Sequence, residues 1–368
     1  MPDAYYVGLI SGTSMDGIDA ALVRFDDQDL STAATTKFDY PAELRDKLFS
    51  ASRNPKSCTL DDVGELNTWV GECFRDAALA VISKSAVEAN QIRAIGSHGQ
   101  TMRHQPDAVH PFSLQIGDPS IIATGTGIDT VADFRIADLA VGGEGAPLAP
   151  AFHNWLFHDD AACRVVLNIG GIANITVLPA GEEPVTGFDT GPGNTLLDAW
   201  VSQHKGTTFD DEGRWAAAGS VNEALLQRLL DDPWFAKAPP KSTGFEYFNP
   251  GWLANAGTSD IEPVDIQATL VELSARTIAH SITQTDMPVR EVFVCGGGAH
   301  NAYLLKKLAA QLPDVELATT SNVGLDPDWV EATAFAWLAM RRIQCLSGNL
   351  PAVTGASRPA ILGAVHKS

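Results

Sequence analysis

Glycine-rich turns are the features of this 368-residue chain whose composition and spacing best suit chemistry. They lie at 12–17, 170–171, 191–193 and 296–298, each after a predicted strand. Because glycine has no Cβ, its backbone can approach a ligand closely, and successive amides can point at one anion. One such turn is often an ordinary hairpin turn. Several of them at strand ends are a stronger indication of phosphate binding.

Asp189 is the carboxylate best placed for general-base chemistry. It ends a predicted apolar strand and precedes the turn at 191–193, which opens a predicted helix. A catalytic base needs a rigid position, partial burial and a polar ligand nearby. The alternative is that Asp189 only bonds the amides that follow it, as turn-forming aspartates often do. The local sequence leaves both interpretations open.

Three further side chains are candidates for ligand contacts. His98 and Arg135 each follow a predicted strand, where open α/β sheets bind ligands, and Arg135 could hold a carboxylate through two hydrogen bonds. Glu331 begins a predicted helix, where an acidic residue also simply favours the helix dipole. For His98 and Arg135 the alternative is a structural hydrogen bond. His98 and His104 have no evident third ligand, so a structural metal is not expected.

Short polar side chains accompany two of the glycine turns. Thr13, Ser14 and Asn174 could add hydrogen bonds to phosphate oxygens, or could only cap the turns locally. The sequence has no Gly-x-x-x-x-Gly-Lys-Ser/Thr motif, and no Gly-x-Gly-x-x-Gly follows the first predicted strand. Phosphate binding would therefore use neither a P-loop nor a dinucleotide fingerprint.

Composition limits the class of protein. The length fits two domains, and 45% hydrophobic residues supply a core for each. A net charge of -20 makes nucleic acid and anionic membranes poor partners. Five scattered cysteines without a Cys-x-x-Cys pair predict reduced thiols. No signal pattern or apolar run of about 18 residues is evident, so we expect a cytoplasmic protein.

Alternating strands and helices predict an α/β architecture. A strand, a glycine turn, a second strand and a third strand occur in two places, which suggests two lobes of related topology facing a cleft. The predicted strands are 5–10, 18–25, 35–40, 93–97, 130–133, 165–169, 172–178, 186–189, 291–295 and 315–319. The predicted helices are 61–85, 195–204, 265–285, 301–312 and 329–344.

Three details of these elements can be checked. The helix at 61–85 is predicted to present Leu79 on its apolar face with Leu66 and Phe74. The helix at 265–285 is predicted to begin with Asp265 as its N-cap. The segment 231–255, rich in Pro, Lys and Gly, is a candidate lid or dimer element.

Seven motifs, in order along nearly the whole chain, resemble those of the anhydro-N-acetylmuramic acid kinase family. They read GLISGTSMDGID (8–19), GSHGQT (96–101), QIGDP (115–119), VADFR (131–135), NIGGIAN (168–174), GFDTGPGN (187–194) and CGGGA (295–299). The resemblance implies a two-lobed actin-like ATPase fold of the ribonuclease H-like type. Mixed sheets flanked by helices would form each lobe, with an ATP cleft between the lobes.

The resemblance also implies roles for particular residues. Asp189 would be the catalytic base, and His98, Arg135 and Glu331 would contact the sugar. ATP would be bound by Gly12, Thr13, Ser14, Met15, Asp16, Gly17, Ile18, Asp19, Gly170, Gly171, Asn174, Gly191, Gly193, Asn194, Gly296, Gly297 and Gly298.

Magnesium is the implied metal, and one departure affects its site. The wider superfamily usually carries an aspartate two residues before the Gly-Thr of its first phosphate loop. Here that position is Ile10, so Asp16 or Asp19 would have to take over any water-mediated contact with Mg²⁺.

The implied reaction couples hydrolysis to phosphoryl transfer. Water opens the 1,6-anhydro bridge of anhydro-N-acetylmuramic acid, and the released O6 takes the γ-phosphoryl group of ATP, giving N-acetylmuramate 6-phosphate during peptidoglycan recycling. The alternatives are a superfamily kinase of an ordinary sugar or polyol and a nucleotide-switched binding module. A tRNA-modifying relative is disfavoured because no His-x-x-x-His motif is present.

Lobe boundaries and assembly complete the expectations. The first lobe is predicted at 1–135 with about 346–368, and the second at 136–345, with both the second phosphate loop and an adenosine loop. The protein is expected to form a homodimer.

Overall fold

The computed structural model describes residues 4–12, 15–26 and 29–368, so the predicted ATP contacts Thr13 and Ser14 lie outside the described residues. The strands are β1 (Tyr5–Ser11), β2 (Gly17–Asp26), β3 (Asp29–Asp39), β4 (Ile92–Gln105), β5 (Phe112–Ile116), β6 (Thr130–Ala132), β7 (Cys163–Ile169), β8 (Ile172–Leu178), β9 (Thr186–Pro192), β10 (Val289–Cys295), β11 (Glu316–Thr319) and β12 (Ala364–His366).

Helices occupy the segments between these strands. They are α1 (Ala42–Arg53), α2 (Leu60–Ser83), α3 (Pro119–Thr126), α4 (Phe134–Leu139), α5 (Ala149–Phe157), α6 (Thr195–Lys205), α7 (Arg214–Ala217), α8 (Glu223–Leu230), α9 (Pro250–Asn255), α10 (Pro263–Thr283), α11 (Ala302–Gln311), α12 (Val330–Ile343) and α13 (Pro351–Thr354).

The chain forms two compact units. The first comprises Met1–Leu156 and Trp329–Ser368, and the second comprises Phe157–Asp328. These boundaries differ from the ones expected from the sequence, which ended the first lobe at 135 and returned to it at 346. The difference arises because α12 packs on β1 and β4, so that this helix belongs to the first unit.

The first unit is built on a sheet with the order β12-β6-β4-β1-β2-β3, and β5 pairs with β4 beyond this path. β1 and β2 form an antiparallel hairpin, whereas β4 runs parallel to β1. Val7 and Leu9 pack in the same apolar cluster as α2. Gly8, on the other face of β1, lies against α12, where a Cβ would collide with the Ala332 carbonyl. Helices therefore cover both faces of this sheet.

The second unit has a five-stranded sheet of the order β11-β10-β7-β8-β9. This order corresponds, strand by strand, to β6-β4-β1-β2-β3 of the first unit. β7 and β8 form an antiparallel hairpin, β9 pairs antiparallel with β8, and β10 runs parallel to β7. The long helix α10 lies in the apolar core of this unit, together with α6, α8 and α11. The two mixed sheets confirm the prediction of an α/β protein with two units of related topology.

Two predictions about the helices are wrong. Leu79 is 42% exposed, because five residues after Phe74 it has rotated off the face of α2 that the sheet covers. Helix α10 begins at Pro263 with Glu262 as N-cap, and the Asp265 carboxylate instead accepts a hydrogen bond from the Ser220 N–H at 2.7 Å. Proline suits the first turn because no helical partner exists for its missing N–H.

Two predicted strand ends are also wrong. The strand expected at 93–97 continues to Gln105, because its second half pairs with β5, so His98 lies within the strand instead of at its end. The strand expected at 130–133 ends at Ala132, since Asp133 adopts a left-handed conformation (φ 59°) and Arg135 falls in α4.

Candidate active site

Three glycine turns of the second unit meet at one edge of its sheet. The turn after β7 holds Gly170 and Gly171, the turn after β9 holds Gly193, and the turn after β10 holds Gly296 and Gly298. β7, β9 and β10 all run in the same direction, so their carboxyl ends share this edge. Open α/β sheets bind ligands beyond the carboxyl ends of their strands.

Backbone hydrogen bonds join the first two of these turns. The Gly193 N–H donates to the Gly171 carbonyl at 2.9 Å, and the Asn194 N–H donates to the Gly170 carbonyl at 2.8 Å. The Asn194 side chain adds a bond from Nδ2 to the Ile169 carbonyl at 3.2 Å. Asn194 is therefore a residue that joins two turns, in addition to its predicted role in ATP binding.

Close backbone packing explains why glycine occupies these positions. A Cβ at Gly193 would collide with the Gly170 carbonyl, and a Cβ at Gly298 would collide with the Ile169 side chain. Gly296 has φ 76°, where side chains are strained, and its Cβ would also meet the Asn168 side chain. By contrast, a Cβ at Gly171 would come no closer than 3.8 Å to a described heavy atom, so this turn leaves room for a ligand.

Asp189 lies near this edge, beside a β-bulge. Asn174 pairs with Asp189 but Ala173 pairs with Gly191, so Thr190 is the extra residue of the bulge. Bulges are common next to active sites, where they change the direction of a side chain. Asn174, predicted to contact ATP, is thus the cross-strand neighbour of the predicted base.

Two backbone hydrogen bonds hold Asp189 in place. Its N–H donates to the Lys241 carbonyl at 3.0 Å, and its Oδ2 accepts from the Thr243 N–H at 2.9 Å. Burial raises the pKa of the Asp189 carboxyl to about 6, although the Thr243 bond opposes the rise. A carboxylate with a pKa near neutrality is more basic than an ordinary aspartate while remaining mostly ionised at pH 7, as general-base catalysis requires.

The segment 231–255 owes its fixed position to buried aromatic rings. Trp234 and Phe248 are buried and their rings meet edge to face at 5.3 Å. Asp232 ties the ends of the segment together, because its carboxylate accepts bonds from Tyr247 Oη and Trp252 Nε1, each at 2.8 Å. The segment predicted to be a lid or dimer element therefore also anchors Asp189.

The first unit holds the remaining predicted residues. Gln100, fully buried, donates from Nε2 to the Gly12 carbonyl at 3.1 Å and accepts from Ser11 Oγ at 2.7 Å. This side chain fixes the start of the first glycine turn from the neighbouring strand β4. Met15 is buried at the far side of that turn.

His98 and Arg135 form a bonded pair. Arg135 directs Nε and a terminal nitrogen at His98 Nε2, at 3.2 and 2.9 Å, and His98 Nδ1 lies 3.0 Å from the Gly99 carbonyl. A carbonyl can only accept, so Nδ1 carries the proton and Nε2 accepts from Arg135. Burial, with the charge of Arg135, lowers the pKa of His98 well below its usual value. Both ring nitrogens of this neutral His98 are engaged within the protein.

Arg135 and Glu331 complete a charged group on this unit. Arg135 also donates to the Gly145 carbonyl at 2.9 Å. Burial lowers the pKa of Arg135 to about 10, and the charge of Glu331 opposes that change. Burial of the Glu331 carboxyl raises its pKa, and the positive charge of Arg135 opposes the rise. The Glu331 side chain as a whole remains exposed to solvent. The three predicted sugar contacts therefore come from β4, α4 and α12 to one region of the first unit.

The predicted metal ligands do not form a preformed metal site. Asp16 Oδ2 pairs with Lys37 Nζ at 2.7 Å, and Asp19 lies within β2 opposite Ile10. Across residues 4–12, 15–26 and 29–368, no group of three or more His, Cys, Asp or Glu side chains is placed to hold a metal ion. The same part of the chain contains no helix long and apolar enough to cross a membrane.

Comparison with known proteins decides the family. The anhydro-N-acetylmuramic acid kinase family model matches residues 4–368. The chain belongs to the anhydro-N-acetylmuramic acid kinase family. Relatives of that name from Coxiella burnetii (strain RSA 493 / Nine Mile phase I) and Shewanella halifaxensis (strain HAW-EB4) are each 50% identical to this chain. The alignments cover 100% of this chain and 98% and 99% of those two relatives, respectively.

Further similarities span the same length. The relative of that name from Xanthomonas campestris pv. campestris (strain 8004) is 50% identical over 365 residues, covering 98% of this chain and 97% of its own. Among solved structures, component A of (R)-2-hydroxyglutaryl-CoA dehydratase from Acidaminococcus fermentans is similar at a TM-score of 0.48 with 10% identity. That similarity covers 90% of this chain and 96% of the other.

Sequence reasoning missed the residues that support the site. Gln100 lies inside the motif at 96–101, but its burial beside a glycine turn is visible only in the structure. Lys241 and Thr243 act through backbone groups, which leave no signal in side-chain type. Asp232 follows Asp231 and precedes Pro233, and nothing in the sequence indicates its partners.

Proposed function

We propose that the chain is an ATP-dependent kinase that opens the 1,6-anhydro ring of anhydro-N-acetylmuramic acid with water and phosphorylates O6, in the recycling of cell-wall sugars. The observation that carries the proposal is the partly buried Asp189, held beside three converging glycine turns in a member of this kinase family. The product would be N-acetylmuramate 6-phosphate, and ATP would become ADP.

Asp189 would act as the general base. In this reaction Asp189 takes a proton from water, and the water oxygen forms a bond to C1 of the sugar. The C1–O6 bond breaks, and O6 attacks the γ-phosphorus and displaces ADP. Positioned proton transfer of this kind contributes roughly 10²- to 10⁴-fold to rate. The Thr243 N–H holds the carboxylate, and the Lys241 carbonyl holds the backbone N–H of Asp189. Together they keep the alignment that the step requires.

The glycine turns would bind the phosphates of ATP. The turn at Gly170 and Gly171 has open space beside Gly171, and hydrogen bonds from the Gly193 and Asn194 N–H groups hold it rigid. The backbone amides of this turn would therefore offer donors without reorganisation. Amides are neutral, which explains how a chain of net charge -20 can hold a polyanion. Gly12 to Asp19 would contribute from the first unit, with Gln100 holding the Gly12 carbonyl at the start of the turn. Thr13 and Ser14 of this run lie outside the described residues.

Arg135 would bind the lactyl carboxylate of the sugar, with His98 as a positioning residue. His98 Nε2 accepts from two nitrogens of Arg135 and so fixes the plane of the guanidinium. Glu331 would accept a hydrogen bond from a sugar hydroxyl. This arrangement gives each of the three residues a different task.

Magnesium would be held mainly by the phosphates of ATP. The Lys37 contact occupies one oxygen of Asp16, and the described residues contain no acidic cluster, so Asp16 and Asp19 do not fit a direct ligand set. Mg²⁺, when bound, neutralises phosphate charge. We further propose a cytoplasmic homodimer, which cell fractionation and sedimentation of the purified protein would test.

Turnover of ATP with and without the anhydro sugar tests the proposed function. We expect ADP release to depend on the sugar, and ATPase activity that ignores it would exclude the proposal. Reaction in ¹⁸O-water then separates bridge opening from an ordinary sugar kinase. Solvent oxygen should appear at C1 of the product, and an unlabelled product would show that a free hydroxyl was phosphorylated instead.

A further inference from the structure

A recess in the second unit borders the turn at 191–193, because Gly191 lies against its lining residues Phe235 and Thr277. Its volume is about 550 Å³, and it is bounded by Phe235 and Lys241 on one side and by Arg276, His280 and Thr283 of α10 on the other. Among the described residues, its lining includes neither Asp189 nor a glycine of the three turns. The recess is therefore a concave site beside the predicted active site, and its size is one that small ligands occupy.

The charge of its lining is opposite to that of the whole chain. Lys241, Arg276 and His280 line the recess, and no acidic residue does so among the described residues, whereas the chain as a whole has 45 acidic residues against 25 Lys and Arg. Arg276 is balanced by Glu272 and Glu223, at 2.8 and 3.1 Å. Besides Arg276, the lining contains the charged side chain of Lys241.

Lys241 is held by neutral groups. Its Nζ donates to the Phe235 carbonyl at 3.1 Å and lies 4.5 Å from the centre of the Trp234 ring. Burial and the nearby charge of Lys237 lower the pKa of Lys241 from its usual value. With one carbonyl and a ring face as its neighbours, the ammonium still has two further N–H donors. It is therefore available as the counter-ion of an anion in the recess.

The rest of the wall is apolar. Leu230, Phe235, Ala236 and Ala279 contribute carbon surface beside the charged groups. Such a mixture suits a molecule that has an apolar body and one acidic group, since apolar contact supplies affinity and the charged group fixes orientation.

We propose that this recess binds a small organic anion, a carboxylate or phosphate joined to an apolar body, with the ammonium of Lys241 as its counter-ion. The site has a direct connection to Asp189. The backbone of Lys241 accepts from the Asp189 N–H, and Thr190, the next residue on β9, lines the recess. An occupant would contact the segment that orients the base, and its binding would change turnover.

Phenyl phosphate is a suitable probe, with benzyl alcohol as its neutral counterpart. Saturation-transfer NMR and calorimetry on the full chain should show phenyl phosphate binding in the presence of a saturating non-hydrolysable ATP analogue. Benzyl alcohol should bind at least tenfold more weakly. Failure of phenyl phosphate to bind, its displacement by the analogue, or equal affinity for the alcohol would each overturn the proposal.

Variants locate the binding. Lys241→Met should weaken phenyl phosphate binding at least tenfold, whereas Lys237→Met, an exposed lysine of the same segment, should leave it unchanged. Thr283→Trp, at an exposed position of the lining, should block the recess without disturbing the core. Unchanged affinity in both Lys241→Met and Thr283→Trp would refute the assignment. Because binding is measured directly, failure here leaves the proposed kinase function untouched.

Discussion

Asp189→Asn separates a catalytic role from a structural one. Asn keeps the shape of the side chain and can still accept from the Thr243 N–H, so the fold should persist. It cannot take a proton from water, and turnover should fall by roughly 10²- to 10⁴-fold, the usual contribution of a positioned base. Near-normal turnover of the purified variant would show that another group is the base.

The same substitution should stabilise the protein at alkaline pH. Burial raises the pKa of Asp189 from 3.8 to about 6, so the folded state favours the protonated form. The stability that the protonated Asp189 carboxyl contributes is fully present below about pH 4 and is lost as pH rises through 6. At 1.36 kcal/mol per pKa unit the ionised carboxylate costs at most about 3 kcal/mol, and we expect a gain of about 1–2 kcal/mol for Asn because Asp189 is partly solvated.

Urea unfolding at pH 5 and pH 8 measures this effect. The free energy of unfolding of Asp189→Asn relative to the parent should be greater at pH 8 than at pH 5. The pH profile of kcat/KM for the parent should rise through about pH 6, because the ionised base is the active form. A variant that is less stable than the parent at pH 8, or a parent profile flat between pH 5 and 7, would refute the reasoning.

Asp198 provides a matched control. Burial raises the pKa of its carboxyl to about 7, but it lies in the first turn of α6 and not on the strand that carries Asp189. Asp198→Asn should give a similar stabilisation at pH 8 and keep turnover within a few-fold of the parent. A loss of turnover equal to that of Asp189→Asn would show that the rise of kcat/KM through pH 6 cannot be assigned to Asp189 alone.

Further predictions concern the parts that surround the base. Gly193→Ala should lower the free energy of unfolding by about 1–3 kcal/mol and weaken binding of an ATP analogue, because the new methyl collides with the Gly170 carbonyl; unchanged calorimetric affinity would contradict this. Asp138→Ala should cost about 3–5 kcal/mol in urea unfolding, because three buried donors lose their acceptor at about 1–3 kcal/mol each. These donors are the Gly145 N–H, Asn349 Nδ2 and Thr354 Oγ1, at 2.6–2.8 Å from the carboxylate. A cost below about 1 kcal/mol would show that the contacts are dispensable. Arg135→Lys should raise the KM for the anhydro sugar more than it lowers kcat, because lysine lacks the planar fork, and steady-state kinetics with an unaltered KM would argue against the carboxylate contact.

Local signals explain which parts of the fold were predictable. The hairpins around 12–17 and 170–171 combine apolar runs of strand length with glycine turns, so their position follows from nearest neighbours in the sequence. Helix α10 was likewise evident from its apolar periodicity over 21 residues. The convergence of the glycine turns depends on the shared direction of β7, β9 and β10, which is visible only in the structure.

Long-range contacts explain what the sequence did not show. Asp189 is held by Lys241 and Thr243, more than 50 residues away, through backbone atoms that every residue type possesses. Arg135 was expected at the end of a strand, but the left-handed Asp133 turned the chain into a helix and brought the guanidinium to His98. Pairing with β5 extended the strand that carries His98, and nothing within 93–97 indicates that partner.

The discontinuous composition of the first unit has a consequence for biosynthesis. The second unit is one uninterrupted stretch, so all of its sequence has been synthesised once residue 328 is added, and it can form its core while translation continues. The first unit must wait for its last 40 residues, because α12 covers one face of β1 and β4 and β12 completes the sheet. Until then, the face of β1 that carries Gly8 has no helix packed on it. We therefore expect the first unit, whose synthesis begins first, to complete its fold last.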